Sequence, residues 1–220
     1  MKGIAPASRV KPRKRRAPSL RILGLDFGLA YTGFAIAEVD IESGSITRVC
    51  DLGVITTESQ RQIKQIRLTS DDLRRATIIA EAIGRKRDEA QVDVVAAEMV
   101  TSTRHIRPTF SFGVLVGITA SLRRPVIQVL PHEVKLAATG RRDASKKDII
   151  QWALRLTERD HVQWPTSARS NSRGLRIGNS FVQRSAEHQA DALAVIQAAV
   201  RSDQFNLAAA FTNSRSRADI

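Results

Sequence analysis

Cysteine, aromatic residues and long hydrophobic runs are scarce in this chain of 220 residues. Its one cysteine, Cys50, has no intramolecular partner for a disulfide, which fits a reducing compartment. Aromatic residues make up 5% of the sequence, and no apolar run approaches the length that crosses a membrane. These shortages exclude a disulfide-stabilised domain and an integral membrane protein, and 42% of hydrophobic residues fits a soluble globular domain.

Acidic residues are also scarce. The chain has 22 of them against 35 lysines and arginines, which gives a net charge of +13. A surplus of this size indicates a polyanionic partner, with nucleic acid as the first candidate. Residues 1–20 contain no acidic residue and carry the basic run 11–16, which predicts a disordered arm. The arm fits either a nucleic-acid-binding segment or a transit-like leader.

The arm lacks the apolar core that secretory signals carry, which disfavours export. The expected location is therefore the cytoplasm, and the sequence leaves open an association with the nucleoid and a viral origin. An organelle is the expected location if the arm is a leader.

One ordered domain is predicted over residues 21–201, followed by a weakly ordered tail at 202–220. It begins with three strand-like runs, joined by short turns that favour an antiparallel meander. These runs are residues 21–27, 32–39 and 49–56. Further strands are predicted at 92–98 and 125–130, and helices after Ser70 and at 109–122, 131–138, 144–157 and 184–200. Residues 158–181 are predicted to be a loop. The order predicts an α/β fold, with a mixed five-stranded sheet flanked by helices.

The predicted helix at 109–122 carries Gly113 and Gly117 four residues apart. Small residues at that interval lie on one helix face and permit close helix packing. The sequence leaves open whether the close contact lies within the domain or across a dimer.

Three acidic residues stand in apolar surroundings at wide intervals. Asp26 ends the first strand, Glu98 ends the fourth, and Asp191 lies on the last helix, three residues after His188 and four after Glu187. Both helical spacings place the side chains on one face. Each residue alone fits a cap or a surface group, but a buried carboxylate is costly without a cation. Together with the basic surface, the set favours metal-dependent phosphodiester cleavage with two cations.

These segments, in this order, resemble the RuvC family of Holliday-junction resolvases, which have an RNase H-like fold. The resemblance extends from about Arg21 to Val200, and it rests on four segments. They are 23–33, Glu98 after its strand, 131–146, and 188–194.

The resemblance implies a role for each acidic position. It makes Asp26 the central carboxylate shared by both metals and Glu98 the second acidic ligand. His188 and Asp191 take the remaining catalytic and metal-binding positions. Many members have Asp where His188 stands, and Glu187 is the alternative donor, with His188 favoured.

Basic residues are implied to contact DNA. Lys135 and Lys146 match positions near the scissile strand, where they would contact phosphate. Arg104 and Arg107 follow Glu98 and are further candidates, although solvated surface positions are an equal interpretation for the lysines and the ordinary one for the arginines. The segment that carries these arginines lacks the aromatic residue that relatives place near the junction centre, so a sequence preference does not carry over.

The function implied is a Mg²⁺-dependent, structure-selective endodeoxyribonuclease that resolves Holliday junctions by paired symmetric nicks in DNA recombination and repair. The expected form is a homodimer on a four-way junction, with two Mg²⁺ per site and Mn²⁺ as a substitute; whether a branch-migration helicase is a partner stays open. Other RNase H-fold nucleases, acting on branched DNA, flaps or RNA–DNA hybrids, are the nearest alternative. A sugar- or acetate-kinase-type ATPase and a non-catalytic DNA-binding relative are further ones.

Overall fold

A mixed five-stranded sheet forms the centre of the molecule. The computed structural model describes residues 18–60, 67–99, 106–169 and 174–218. The strands are β1 (Ser19–Asp26), β2 (Tyr31–Asp40), β3 (Ser45–Thr56), β4 (Val94–Glu98) and β5 (Val126–Val129). Their order in the sheet is β3-β2-β1-β4-β5, with the first three antiparallel and β4 and β5 parallel to β1. The predicted antiparallel meander and mixed sheet are confirmed.

Helices cover both faces of this sheet. They are α1 (Leu68–Glu89), α2 (Ile106–Ser121), α3 (Pro131–Thr139), α4 (Lys146–Leu156), α5 (Ala186–Ala199) and α6 (Asp203–Ala218). Helices α1 and α2 pack on one face, and α3 to α6 contribute to the hydrophobic cluster on the other. In the described residues, no helix combines the length and apolar character needed to traverse a membrane.

Strand alternation decides which side chain faces which helix layer. Ile22 belongs to the cluster beneath α5, while Leu23 and Leu25 belong to the cluster beneath α1 and α2. Successive side chains of a strand point to opposite faces, so the α5 face also receives positions 24 and 26. The same reasoning applies to β4, where Ala96 faces α5 and Ala97 faces the other layer. The last residues of β1 and β4 therefore point toward α5.

Two glycines allow α5 to lie directly against the strands. A Cβ atom at Gly24 would lie 2.3 Å from the carbonyl oxygen of Ala192. At Gly33 it would lie 1.9 Å from the carbonyl oxygen of His188. Both distances are far inside van der Waals contact, so any side chain at these positions would push the helix away. The two glycines thereby set the distance between the sheet and the helix that bears His188.

Several elements differ from the sequence predictions. Ser70 lies inside α1 and does not cap it, because the helix begins at Leu68 with Arg67 at its N-cap. The predicted loop at 158–181 contains a small antiparallel sheet with strand order β6-β8-β7. Its strands are β6 (Thr166–Ser167), β7 (Arg176–Ile177) and β8 (Ser180–Val182). Where a weakly ordered tail was predicted, the chain forms α6, and Phe205 is buried in the core beneath it. The apolar spacing of that short stretch was too weak to predict a helix.

Residues 1–17 of the predicted basic arm lie outside the described residues. The last part of the predicted arm already belongs to the sheet, because β1 begins at Ser19 and Leu20 is buried in the core. The predicted strand Arg21–Phe27 is accordingly longer at its beginning.

Candidate active site

The ends of two neighbouring parallel strands bring Asp26 and Glu98 together. The register of β1 and β4 pairs Leu25 with Ala97, so the next residue of each strand reaches the same edge of the sheet. Alternation turns both carboxylates toward α5. Asp26 also lies opposite Gly33 of β2, directly beside the point where α5 touches the sheet.

The first turns of α5 add one histidine and two acids to this edge. The His188 Nδ1 atom lies 2.8 Å from Oδ2 of Asp26, and its Nε2 atom lies 3.8 Å from Oε1 of Glu187. Asp191, one turn further along the helix, is partly buried and interacts electrostatically with Asp26, Glu98 and Glu187. The structure therefore gathers all four predicted catalytic residues, together with the alternative donor, at one end of the sheet.

Burial and mutual repulsion resist ionisation of two of these acids. The pKa of Glu98 is raised to about 7, first by burial and then by the negative charge of Asp26. The pKa of Asp191 is also raised to about 7, by burial and then by Asp26. The pKa of His188 is raised by its hydrogen bond to Asp26, which favours the imidazolium form. Burial makes the ionised form of these carboxylates costly. The positive charge of His188 partly offsets that cost.

Two lysines approach the carboxylates from the neighbouring helices. The Lys146 Nζ atom, in the first turn of α4, lies 3.2 Å from Oε1 of Glu187, and its charge lowers the pKa of Asp191. Ser145 holds the start of α4 through a capping box with Asp148, which fixes the helix end that carries this lysine. Lys135 of α3 lowers the pKa of Glu98.

The other two residues that were predicted to contact DNA are Arg104 and Arg107, and the structure describes neither side chain. Arg104 lies outside the described residues, and Arg107 falls in the first turn of α2, outside the described side chains.

The donor set has the chemistry of a divalent-cation site without being closed around one. Carboxylate oxygens suit hard cations such as Mg²⁺ and Mn²⁺, and an imidazole nitrogen suits Mn²⁺ as well. Among the described residues, no three acidic, histidine or cysteine side chains form a ready-made metal cluster. The direct contact of His188 with Asp26 uses donor atoms that a cation would need. The raised pKa values of Glu98 and Asp191 nevertheless fit residues whose ionised forms a cation would stabilise.

Tyr31 is part of this site and was missed from the sequence. Its ring stacks on His188 with centroids 5.5 Å apart and planes inclined by 13°. The residue begins β2, immediately after the turn that follows Asp26. Its place next to the opening motif was the available signal, but nothing in the spacing connects position 31 with position 188.

Comparisons with known proteins give a consistent match. The family model described as "Crossover junction endodeoxyribonuclease RuvC" matches residues 22–170. A protein of that description from Paenarthrobacter aurescens is 31% identical over 154 residues, which cover 68% of this chain and 76% of the relative. Another, from Synechococcus sp. strain RCC307, is 30% identical over 146 residues, which cover 64% of this chain and 87% of the relative.

Solved structures share the fold. A complex of T. thermophilus RuvC with a Holliday junction substrate superposes with a TM-score of 0.56 at 17% identity, covering 81% of this chain and 92% of that one. A second Thermus thermophilus RuvC structure gives 0.51 at 18% identity, with the same coverage. The RNase H-like fold predicted from the sequence is confirmed. The family model ends before α5, so His188 and Asp191 are located by the folded structure and not by that match.

Proposed function

Since this chain belongs to the RuvC family of crossover junction endodeoxyribonucleases, we propose that it cuts four-way DNA junctions by hydrolysing phosphodiester bonds. The convergence of Asp26, Glu98 and Asp191 at one end of the sheet is the observation that carries this proposal. A net charge of +13 supports DNA as the substrate, because phosphates attract such a surface.

The catalytic residues would act by holding divalent cations beside the scissile phosphate. We assign Asp26, Glu98, His188 and Asp191 as the ligands of two cations, Mg²⁺ or Mn²⁺. When bound, the cations supply a lowered pKa for the attacking water and stabilisation of the leaving oxygen. Asp26 acts electrostatically on both Glu98 of β4 and Asp191 of α5, so it is the natural carboxylate to be shared. The 2.8 Å contact between His188 and Asp26 would open when a cation takes the place of the shared proton between them.

Lys135 and Lys146 would contact the DNA backbone at the rim of this site. Both side chains are exposed, and each acts electrostatically on one of the two acids with raised pKa values. A lysine placed in this way can neutralise a phosphate oxygen as the strand enters. Lys146 pairs with Glu187 in the free protein, so the strand would compete with that carboxylate for the lysine.

A homodimer would supply a second site for the paired nick. The α1–α2 face, defined here by the groove residues Leu73, Ala76, Ala80, Val114 and Gly117, supports this arrangement. Leu73 is exposed, and a Cβ atom at Gly117 would meet nothing within 4 Å among the described residues. Two copies packed through this face would be related by a two-fold axis, which matches the symmetry of a four-way junction.

The test is Mg²⁺-dependent nicking of a mobile four-way junction, with cleavage positions mapped on all four strands. Asp26→Asn should lower the nicking rate at least about 100-fold, because it removes a shared ligand charge. Glu42→Gln is the matched control, since Glu42 is exposed in the β2–β3 turn and should leave nicking unchanged. Equal rates for wild type and Asp26→Asn would contradict the assigned site.

A substrate panel separates the proposal from its nearest rival. The same enzyme should be offered a junction, a flap and an RNA–DNA hybrid of equal length. Faster cleavage of the hybrid or the flap would leave a nuclease in place but overturn the junction as its substrate.

A further inference from the structure

Tyr31 presents an aromatic ring at the mouth of the active site. The residue is 48% exposed, and it is the single large exposed aromatic residue among the described side chains. One part of the ring is covered by His188, which in turn contacts Asp26. The remaining exposed ring surface therefore lies within two side chains of the carboxylate assigned to the cations.

The backbone that carries this ring is fixed from both sides. Thr32 is fully buried, and its hydroxyl donates a 2.8 Å hydrogen bond to the carbonyl oxygen of Gly28. Tyr31 itself pairs with Thr56 in the β2–β3 register, and the amide of Thr57 donates to the carbonyl oxygen of Ala30. A ring held on such a turn loses little conformational freedom when it is covered by a ligand.

An open groove adjoins the ring and carries an arginine. Its lining consists of Tyr31, Arg184, Ser185, Glu187 and His188, and it offers about 350 Å³ of space. Arg184 is exposed and lies just before the first turn of α5. The groove thus combines an aromatic surface with a guanidinium, next to the histidine of the site.

We propose that this groove is a nucleotide subsite, in which an unpaired base stacks on Tyr31 and the adjoining phosphate pairs with Arg184. Aromatic side chains bind every base through its π-face, and arginine binds phosphate through a planar fork of donors. A base can reach the ring only after it has left the duplex stack. The subsite would therefore favour DNA with unpaired or distorted nucleotides beside the scissile phosphate over intact duplex. This inference rests on the proposed function, because it takes the bound polymer to be DNA at the same site.

The single tyrosine of the chain makes the stacking directly observable. Biosynthetic 3-fluorotyrosine would give one ¹⁹F resonance from the full-length protein. With Ca²⁺ in place of Mg²⁺ to prevent cleavage, a short four-way junction should shift this resonance. The same junction with abasic residues at the nucleotides that flank the branch point should leave it near its free position, although the protein still binds.

Affinity measurements extend the test to variants. For wild type, the abasic junction should bind about 10-fold more weakly than the intact one. This ratio should persist in Tyr31→Phe and fall to about one in Tyr31→Leu. Arg184→Gln should weaken both junctions equally and reduce the salt dependence by about one phosphate contact. Arg201→Gln is the matched control, because Arg201 is also exposed but lies beyond the opposite end of α5.

The outcomes separate the subsite from the activity. If Tyr31→Leu weakens intact and abasic junctions by the same factor, Tyr31 only positions His188 and the subsite is overturned. If wild type nicks junctions but its ¹⁹F resonance ignores the abasic change, the subsite fails and the proposed function stands. If the resonance responds to the base but no junction is nicked, the subsite stands and the proposed function fails.

Discussion

The two faces of the central sheet differ in how closely their helices pack. On one face, α5 lies so close to β1 and β2 that glycines are required at positions 24 and 33, and its core residues are almost completely buried. On the other, α1 and α2 enclose an open groove, and Leu73 on the rim is 68% exposed. The close-packed face carries the proposed active-site residues, whereas the open face carries exposed apolar surface on which the proposed dimer would pack.

The difference shows which helix of the fold has to be positioned accurately. His188 and Asp191 must meet Asp26 and Glu98 across the boundary between helix and sheet, so a small displacement of α5 would separate them. The backbone contacts at Gly24 and Gly33 remove that freedom. A Cβ atom at Gly113 or Gly117 of α2 would meet no described residue within 4 Å. A substitution should therefore be felt very differently on the two faces.

Gly33→Val should break the close-packed face and have the largest effect. Its Cβ atom would overlap the carbonyl oxygen of His188, which must move together with the start of α5. Overpacking against a backbone atom that cannot rotate away should cost about 3 kcal/mol of unfolding free energy. Urea denaturation would measure this loss, and the folded fraction should have lost nicking activity.

Gly84→Ala is the matched control on the open face. Gly84 lies inside α1, and in the part of the chain that the structure describes a Cβ atom there would meet nothing within 4 Å. Alanine is the better helix former, so this variant should gain about 0.5–1 kcal/mol and keep its activity. Equal destabilisation by both substitutions would contradict the assigned difference between the faces.

The sequence predicted which residues and elements form the close-packed face. It did not predict the contacts between those elements. Strand periodicity located Asp26 and Glu98 at strand ends, and helical spacing placed His188 and Asp191 on one face of α5. Neither pattern contains the strand order, which alone makes β1 and β4 parallel neighbours. Tyr31 and His188, which stack on each other, are likewise far apart in the sequence. Local periodicity cannot predict a contact over that separation.

Short or weakly patterned elements were the hardest to predict. The small sheet of β6, β7 and β8 has strands of two or three residues, too short for alternation to be visible. Helix α6 was missed because few large apolar residues mark it, and its burial depends on Phe205 reaching a core made by distant segments. Tertiary packing, and not local propensity, explains both elements.

Leu73→Glu tests the open face and should have an effect between those of the other two predictions. It should weaken the proposed dimer. A charge on this exposed apolar side chain would have to be desolvated in a dimer built on the α1–α2 face. The dimer dissociation constant should rise about 10- to 100-fold, while the unfolding free energy of the monomer should change by less than about 0.5 kcal/mol. Sedimentation equilibrium would measure the dissociation constant.

Leu207→Glu provides the control for that substitution. Leu207 of α6 is 73% exposed, so it matches Leu73 in residue type and exposure but lies on the opposite side of the sheet. It should leave the dissociation constant unchanged. If Leu207→Glu dissociates the dimer and Leu73→Glu does not, the interface has been assigned to the wrong face.

The pH dependence of stability should distinguish the two faces by its sign, with the smallest effect of the three. Glu98 and Asp191 have pKa values of about 7 in the folded protein, above their ordinary values, so the folded state binds more protons than the unfolded state. The metal-free protein should therefore lose stability as pH rises from about 5 to 7. The raised pKa of His188 acts in the same direction, because its contribution is lost as pH rises through the folded value. On the open face, the hydrogen bond from Arg74 lowers the pKa of Asp71, so the stability that this carboxylate contributes is lost only as pH falls below its ordinary value of 3.8.

Thermal unfolding with a chelator should show the α5 contribution as a difference between variants. Asp191→Asn removes one acid that must lose a proton, so between pH 5 and 8 its Tm should fall by about 3 °C less than that of wild type. Glu42→Gln, on the exposed β2–β3 turn, should follow wild type. Adding Mg²⁺ or Mn²⁺ should reduce the wild-type decline, because bound cations stabilise the ionised acids. Parallel pH profiles for wild type and Asp191→Asn would mean that Asp191 titrates alike in the folded and unfolded chains. The cost of charging the site would then lie with Glu98, at the end of β4, and not with α5.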